Sequence, residues 1–220
     1  MLEIPRNWTF ENQSVALGFD RHVREQLPWY DIVTGAVAHI ARHYIPKDGL
    51  VYDIGASTGN IGNAFRETLE SRHAELIAIE SSKEMVEQYK GPGQIIISDA
   101  LDFEFQSFDL AICFLILMFI PITKRCQFLK SLIEKINPGG AIIVVDKTES
   151  PGGYLGTIFH RLAIAGKVAA GVDSREVIAK ELSLIGVQRP ISNQLIGLCS
   201  VGAKEFFRFG EFAGWIIERS

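Results

Sequence analysis

The sequence predicts an α/β fold: a doubly wound, mostly parallel, seven-stranded sheet closed by a C-terminal antiparallel hairpin and preceded by a helical N-terminal extension. Three observations predict it. Short apolar, β-branched runs alternate with amphipathic stretches through the middle of the chain. The first run ends in an acid and a glycine-rich turn, VYDIGASTGNIG (51–62). The last stretch, KEFFRFGEFAGWIIERS, has the pattern of two strands meeting at a tight turn. Alternating strands and helices imply parallel strands with both faces covered, because a parallel pair needs a long crossover.

Taken in order, residues 12–44 are expected to be helical, broken near Pro28. The core is then strand Leu50–Ile54, helix Asn60–Leu69, strand Glu75–Glu80, helix Lys83–Tyr89, strand Gln94–Ser98, strand Phe108–Leu115, helix Ile122–Ile136 and strand Ala141–Asp146. Two or three helices are expected between Pro151 and Cys199, and the hairpin strands at Glu205–Glu211 and Gly214–Glu218. No repeat, low-complexity tract or Pro/Gly/Ser-rich linker divides the chain. One domain is therefore expected over 1–220, with 1–46 as a helical cover, 47–147 as the ligand-binding core and 148–220 as substrate-side helices and closing hairpin.

Composition narrows the class. A chain of 220 residues, 47% hydrophobic and 22% charged, is long enough to bury a sizeable core. The longest apolar run, Leu110–Pro121, falls short of the roughly 20 residues a bilayer span needs and suits a buried strand. The start, MLEIPRNWTFENQ, has no apolar signal core, so a cytoplasmic protein with no membrane association is expected. Three cysteines without a CxxC pair give neither a disulfide framework nor a zinc site and are expected as buried fillers. A net charge of −4 does not indicate a nucleic-acid partner.

The glycine turn carries the chemistry. Gly55 and Gly59 lack side chains where the chain must turn and a ligand approach, and the following helix points its amides at that ligand. No Lys-Ser or Lys-Thr follows, which excludes a P-loop, and the GxxxG spacing misses the GxGxxG dinucleotide fingerprint. Glu80 ends the second strand, where a carboxylate accepts ribose hydroxyl protons, for NAD and S-adenosylmethionine alike. Asp99 ends the third strand on the adenine side, and Asp53 lies within VYDIG. Three acids at successive strand ends favour a cationic ligand, so S-adenosylmethionine, with its sulfonium and ammonium, fits better than NAD with two phosphates. The loop residues Ala56 and Ser57, and Ser81 and Ala100 beside the acids, complete the expected cofactor site.

VYDIGASTGNIG, the acid in AIES, SDA, and the turn NPGG leading into AIIVVDK resemble the consensus of class I S-adenosylmethionine-dependent methyltransferases, whose sheet is Rossmann-like. FDRHVREQLPWYDIV and DKTES are similar to the carboxy-S-adenosylmethionine synthases, relatives that convert the cofactor with prephenate for a tRNA wobble-uridine modification. The resemblance implies that Tyr30, in LPWYD, covers the cofactor, and that the protein forms a homodimer. Phe114 stands where that subfamily has an asparagine, bordering the cofactor. The subfamily's carboxylate-gripping arginine has no clear counterpart: the register gives Lys180, Glu181 or Leu182, with Arg175 the nearest arginine.

The expected function is methyl transfer to an unidentified, small acceptor, with carboxy-S-adenosylmethionine synthesis or a non-catalytic, cofactor-binding subunit as the alternatives. Displacement at a sulfonium needs positioning more than a dedicated acid or base, and no catalytic residue stands out. The end of the fourth strand, CFLILMFIP, has no polar donor, so Phe114, Leu117 and Phe119 are expected to form an apolar acceptor wall, in competition with simple core packing. Tyr154, His160 and Arg161, after the fifth strand, and Arg175 are the expected substrate contacts, and Lys147 lies near the crevice. His39 and His43 share a helix face at i, i+4, but no glutamate completes an HExxH motif, so they are expected to be solvent-facing or packing side chains and no metal is expected.

Overall fold

The computed structural model describes residues 4–200 and 202–219. Two helices, α1 (Gln13–Gln26) and α2 (Tyr30–Ala41), precede the sheet, the first capped by Asn12, whose side chain accepts from the Ser14 and Val15 amides. The strands are β1 (Leu50–Ile54), β2 (Glu75–Glu80), β3 (Gln94–Ile97), β4 (Phe108–Phe114), β5 (Ile136–Lys147), β6 (Lys204–Phe209) and β7 (Phe212–Glu218). Between them lie α3 (Asn60–Ala64), α4 (Arg66–Arg72), α5 (Lys83–Val86), α6 (Ile122–Lys135), α7 (Tyr154–Ala169), α8 (Ser174–Ser183) and α9 (Leu195–Cys199), with a 3₁₀ turn at Leu117–Phe119.

The sheet order is β3-β2-β1-β4-β5-β7-β6, parallel as far as β5 and closed by the antiparallel β6–β7 pair. The central strands alternate between two cores, as their period of two requires. Val51, Leu110, Ile112, Ile143 and Val145 join Val33 and Val37 of α2 on one face. Tyr52, Ile54, Ala111, Cys113, Ile142 and Val144 join Leu129 and Leu132 of α6 on the other. The strand order reverses between the parallel neighbours β1 and β4, and the crevice outside their carboxyl ends is where such sheets hold ligands.

Some boundaries differ from expectation. The helix expected over Asn60–Leu69 is two, because Phe65 leaves helical geometry (φ −124°, ψ 22°) and turns into the core. The helix expected to reach Tyr89 ends at Val86. α6 runs straight into β5, which includes the NPGG segment. Asp109 accepts from the Leu50 amide and the Asn137 side chain, at 2.8 and 2.9 Å, and holds that segment alongside β4. Cys113 is buried as expected. Cys126 on α6 and Cys199 on α9, also expected to be buried fillers, are instead half-buried free thiols with sulfurs 2.8 Å apart, because α9 docks on α6.

Candidate active site

A cleft of about 700 Å³ opens at the strand ends, bordered by Gly55, Glu80, Ser81, Asp99 and Ala100. After β1 the chain passes through positive φ at Gly55, Ser57 and Gly59 (73°, 53° and 88°). A Cβ on Gly59 would lie 2.4 Å from the Gly91 nitrogen, so this turn closes only on glycine. The Gly55 and Ala56 amides donate to the Ile79 carbonyl at 2.8 and 3.0 Å, which fastens the loop to β2. Glu80, buried, accepts from the Ser57 amide at 2.9 Å with one oxygen and from the Ser82 amide at 3.0 Å with the other. Asp99 accepts from the Leu101 amide at 2.8 Å.

Asp53 lies beneath the loop, 1% exposed, with Oδ2 lacking a hydrogen-bond partner among the described residues. Burial raises its pKa to about 7 against the opposing pull of the Gly62 amide. The Ser57 hydroxyl is also buried without a partner among the described residues. A glycine cradle with two orphaned polar groups fits a ligand that brings its own donors. Tyr30, at the start of α2, is buried beside it, edge-on to Phe114 at 5.5 Å with Asn60 at its hydroxyl; burial holds its pKa above the ordinary tyrosine value. Asp20 of α1 accepts from Thr58 Oγ1 at 2.5 Å and Asn60 Nδ2 at 2.8 Å, tying the cover to the loop.

A second cavity, about 1190 Å³ including its mouth, lies across a thin wall. Leu115 and Phe119 border both spaces. Leu115 adopts φ 60°, rare for a branched side chain, and this reversal turns it toward the cavities while Phe114 packs inward against Tyr30. Phe114, expected to border the cofactor, is buried against Tyr30 and lines neither space, whereas Leu115 lines both. Of the other expected wall residues, Phe119 lines both cavities and Leu117 is fully buried core.

Two groups brace the wall. Asp146, at the end of β5, accepts from the Leu117 amide at 2.7 Å, and burial raises its pKa to about 7. The Arg125 guanidinium donates to the carbonyls of Met118, Ile120, Arg189 and Pro190.

The second cavity is apolar with cations at one side. Lys180 of α8 is buried with its Nζ against the face of Trp8, and no acid reaches ion-pair distance among the described residues. Burial, followed by the charge of Lys167, depresses its pKa to about 5. The other two lysines are paired, Lys167 with Glu181 at 2.7 Å and Lys147 with Glu211 at 3.6 Å. His22 faces Glu176 at 3.6 Å, and burial, then Lys180, lowers its pKa to about 4. The ligand atoms of His22, Glu25 and Glu176 lie within 4.8 Å of one another.

Of the expected substrate contacts, His160 lines this cavity. Tyr154 is 71% exposed, and Arg161 and Arg175 are solvent-exposed outside both spaces. At 100° per residue Arg175 lies about 140° around α8 from Lys180, so both cannot face one cavity. His39 and His43 are exposed with rings 5.4 Å apart. Trp8, Leu115, Arg125 and Asp146 escaped sequence reasoning. Asp146, an acid closing a strand as Asp53 and Glu80 do, carried a signal; Trp8, far from every motif, carried none.

Sheet order, glycine loop and strand-end acids define the class of α/β transferases that hold a nucleoside cofactor at the switch point. The methyltransferase domain family matches residues 51–140. The carboxy-S-adenosyl-L-methionine synthase of Staphylococcus epidermidis is 31% identical over 193 residues, covering 86% of this chain and 84% of that protein. The synthase of that name from Shewanella piezotolerans is 25% identical over 193 residues, covering 84% and 79%. Among solved structures, the plantazolicin methyltransferase BpumL in complex with SAH superposes with a TM-score of 0.64 at 13% identity, covering 94% of this chain and 90% of that one. The magnesium protoporphyrin IX methyltransferase of Synechocystis PCC 6803 gives 0.57 at 14% identity, covering 93% and 95%. The chain belongs to the S-adenosylmethionine-dependent methyltransferases and, among them, to the carboxy-S-adenosyl-L-methionine synthase family.

Proposed function

We propose that the smaller cleft binds S-adenosylmethionine and that the larger cavity takes a small acceptor with an apolar body and an anionic group. The observation that carries this reading is the shared wall: two spaces of different chemistry meet at Leu115 and Phe119. Glu80 is placed to accept from ribose hydroxyls, Asp99 to meet the adenine side, and Asp53 with Tyr30 to receive an ammonium; Gly55, Ala56, Ser57, Gly59, Ser81 and Ala100 shape the remainder. When bound, the cofactor supplies an electrophilic carbon on a sulfonium. The chain's own part is to hold the acceptor in line, exclude water through the apolar wall and supply charge at the far end. Lys180 suits that last role, since an incoming carboxylate restores its proton and offsets its burial. His160 is the remaining contact from the expected set.

A second reading, synthesis of carboxy-S-adenosylmethionine from prephenate, is favoured by the name the relatives carry and by Lys180, which occupies a register position of the late-helix anion grip. Mass spectrometry of small molecules released from the protein, after incubation with S-adenosylmethionine with and without prephenate, separates the two. Carboxylated cofactor formed only with prephenate establishes the second reading and removes the first. Cofactor or S-adenosylhomocysteine alone leaves a methyltransferase whose acceptor is another small anion.

The same reading divides the chain into a cover (1–46), a cofactor core (47–147) and an acceptor side (148–220), and it includes a homodimer. α7 has no buried residue; Leu155, Ile158 and Leu162 on it and Ile178 and Leu182 on α8 stand exposed, apolar surface that a second copy would cover. Light scattering should give twice the 24.4 kDa of one chain; a single-chain mass removes the dimer. No described helix is long and apolar enough to cross a membrane, and the adjacent free thiols suit a reducing, cytoplasmic setting.

A further inference from the structure

The segment before α1 is irregular, yet it is fastened at both sites. The Trp8 amide donates to the Ser183 carbonyl on α8 at 2.9 Å. Its indole stacks on His22 at 5.4 Å, lies against Lys180 and borders the larger cavity. Two residues on, the Phe10 carbonyl accepts from Ser82 Oγ at 2.7 Å, next to Glu80 and Ser81. The Phe10 ring borders the smaller cleft and meets Phe119, the shared wall residue, edge-on at 5.2 Å. Trp8 and Phe10 also touch each other edge-on at 5.9 Å. One stretch of three residues therefore contributes a wall to each cavity and is pinned to β2's loop at one end and α8 at the other.

We propose that Trp8–Phe10 is a strap that couples the two sites, so that seating Phe10 over a ligand in the cofactor cleft also seats Trp8 over the acceptor cavity and Lys180, and the reverse. This rests on the assignment of the smaller cleft to the cofactor. Thr9 alone separates the two aromatic residues, too short a spacer for one to lift while the other keeps its hydrogen bond, and a free energy shared between two sites acts in both directions. Trp8 and Phe10 are positioning residues: neither supplies a reacting group, and each sets how long the other's site stays closed.

The test uses S-adenosylhomocysteine as the probe, with no acceptor present. Hydrogen exchange in the unaltered protein should slow at the amides of 8–12 and of Ser183–Leu184 when the probe binds, although neither of the latter lines the cofactor cleft and Leu184 lines the far cavity. Trp8→Ala, which removes no lining residue of the cofactor cleft and meets it only through Phe10, should speed dissociation of the probe about tenfold, within the usual range of coupling between sites. Phe10→Ala should do the same, and the double variant no more than either. Trp8→Phe, which keeps an aromatic ring and the backbone bond, should restore slow release and guards against a merely misfolded alanine variant. Probe binding without exchange protection at the far cavity, or unchanged release from a folded Trp8→Ala, overturns the strap. Failure of the unaltered protein to bind the probe at all instead overturns the cofactor assignment.

Discussion

The two cavities are built on different principles. The proposed cofactor cleft is made by backbone: strand ends, a loop with three positive-φ residues, and amides that Glu80 fastens at 2.9 and 3.0 Å. The proposed acceptor cavity is made by side chains from separate parts of the chain, with Trp8, α1, the end of β4, α7, α8 and the hairpin all contributing and α7 giving the most. Their buried ionisable groups differ in kind as well, an acid without a full set of partners beside the first, Asp53, and a base without an acid in the second, Lys180, and burial shifts each toward its neutral form. A backbone-built site tolerates little change at its turns. A side-chain-built site can change its specificity one residue at a time.

The largest effect should come from breaking the backbone-built half. Gly59→Ala places a Cβ 2.4 Å from a backbone nitrogen at φ 88°. The left-handed conformation and the clash together should cost about 2–4 kcal/mol in denaturant unfolding and abolish cofactor binding. A variant that keeps both would show that the loop closes without glycine.

Next comes Glu80→Ala. Loss of one partner from a buried hydrogen-bonded set should weaken S-adenosylmethionine by about 1–3 kcal/mol in calorimetry; an unchanged affinity removes the ribose assignment.

The contrast between Asp53 and Lys180 can be read in the pH dependence of stability. Folded Lys180 titrates near 5 rather than 10.5, so between those values the unfolded chain holds a proton the folded one lacks, and stability rises with pH. Asp53 and Asp146, near 7 rather than 3.8, keep protons the unfolded chain has lost, so stability falls as pH rises between those values. Between about pH 7.5 and 8.5 the lysine slope stands clear of the carboxylates, at up to about 1.4 kcal/mol per pH unit. Lys180→Met should flatten that slope while leaving the fold intact, because an apolar side chain of similar length replaces a buried, unpaired base. A slope that survives in Lys180→Met assigns it to another group.

Arg175→Ala should do least: its side chain is exposed outside both cavities. Stability within about 0.5 kcal/mol of the parent and unchanged product are expected; lost product would restore Arg175 as a substrate contact.

Much of the fold and of the cofactor cleft was legible in the chain because both depend on local order. The short apolar, β-branched runs marked the strands, and the observed starts of β1, β2 and β4 coincide with those expected. The glycines and strand-end acids gave the cleft, since a strand end and its following turn are neighbours in sequence. Phe65 broke a helix the pattern ran through, because burying one ring in the core outweighed a few residues of helical propensity.

What the sequence by itself determined is a doubly wound sheet with a nucleoside-type cleft bearing acids at its strand ends, set by periodicity and by residues few positions apart. What only the tertiary structure decided is the larger cavity: that Leu115 rather than Phe114 lines it, that Lys180 rather than Arg175 enters it, and that Trp8 meets α8. Each depends on a backbone reversal, a helix rotation or a contact across more than 170 residues, and no local pattern encodes those. A strand end carries its site with it, whereas a cavity exists only once separate elements have packed around it.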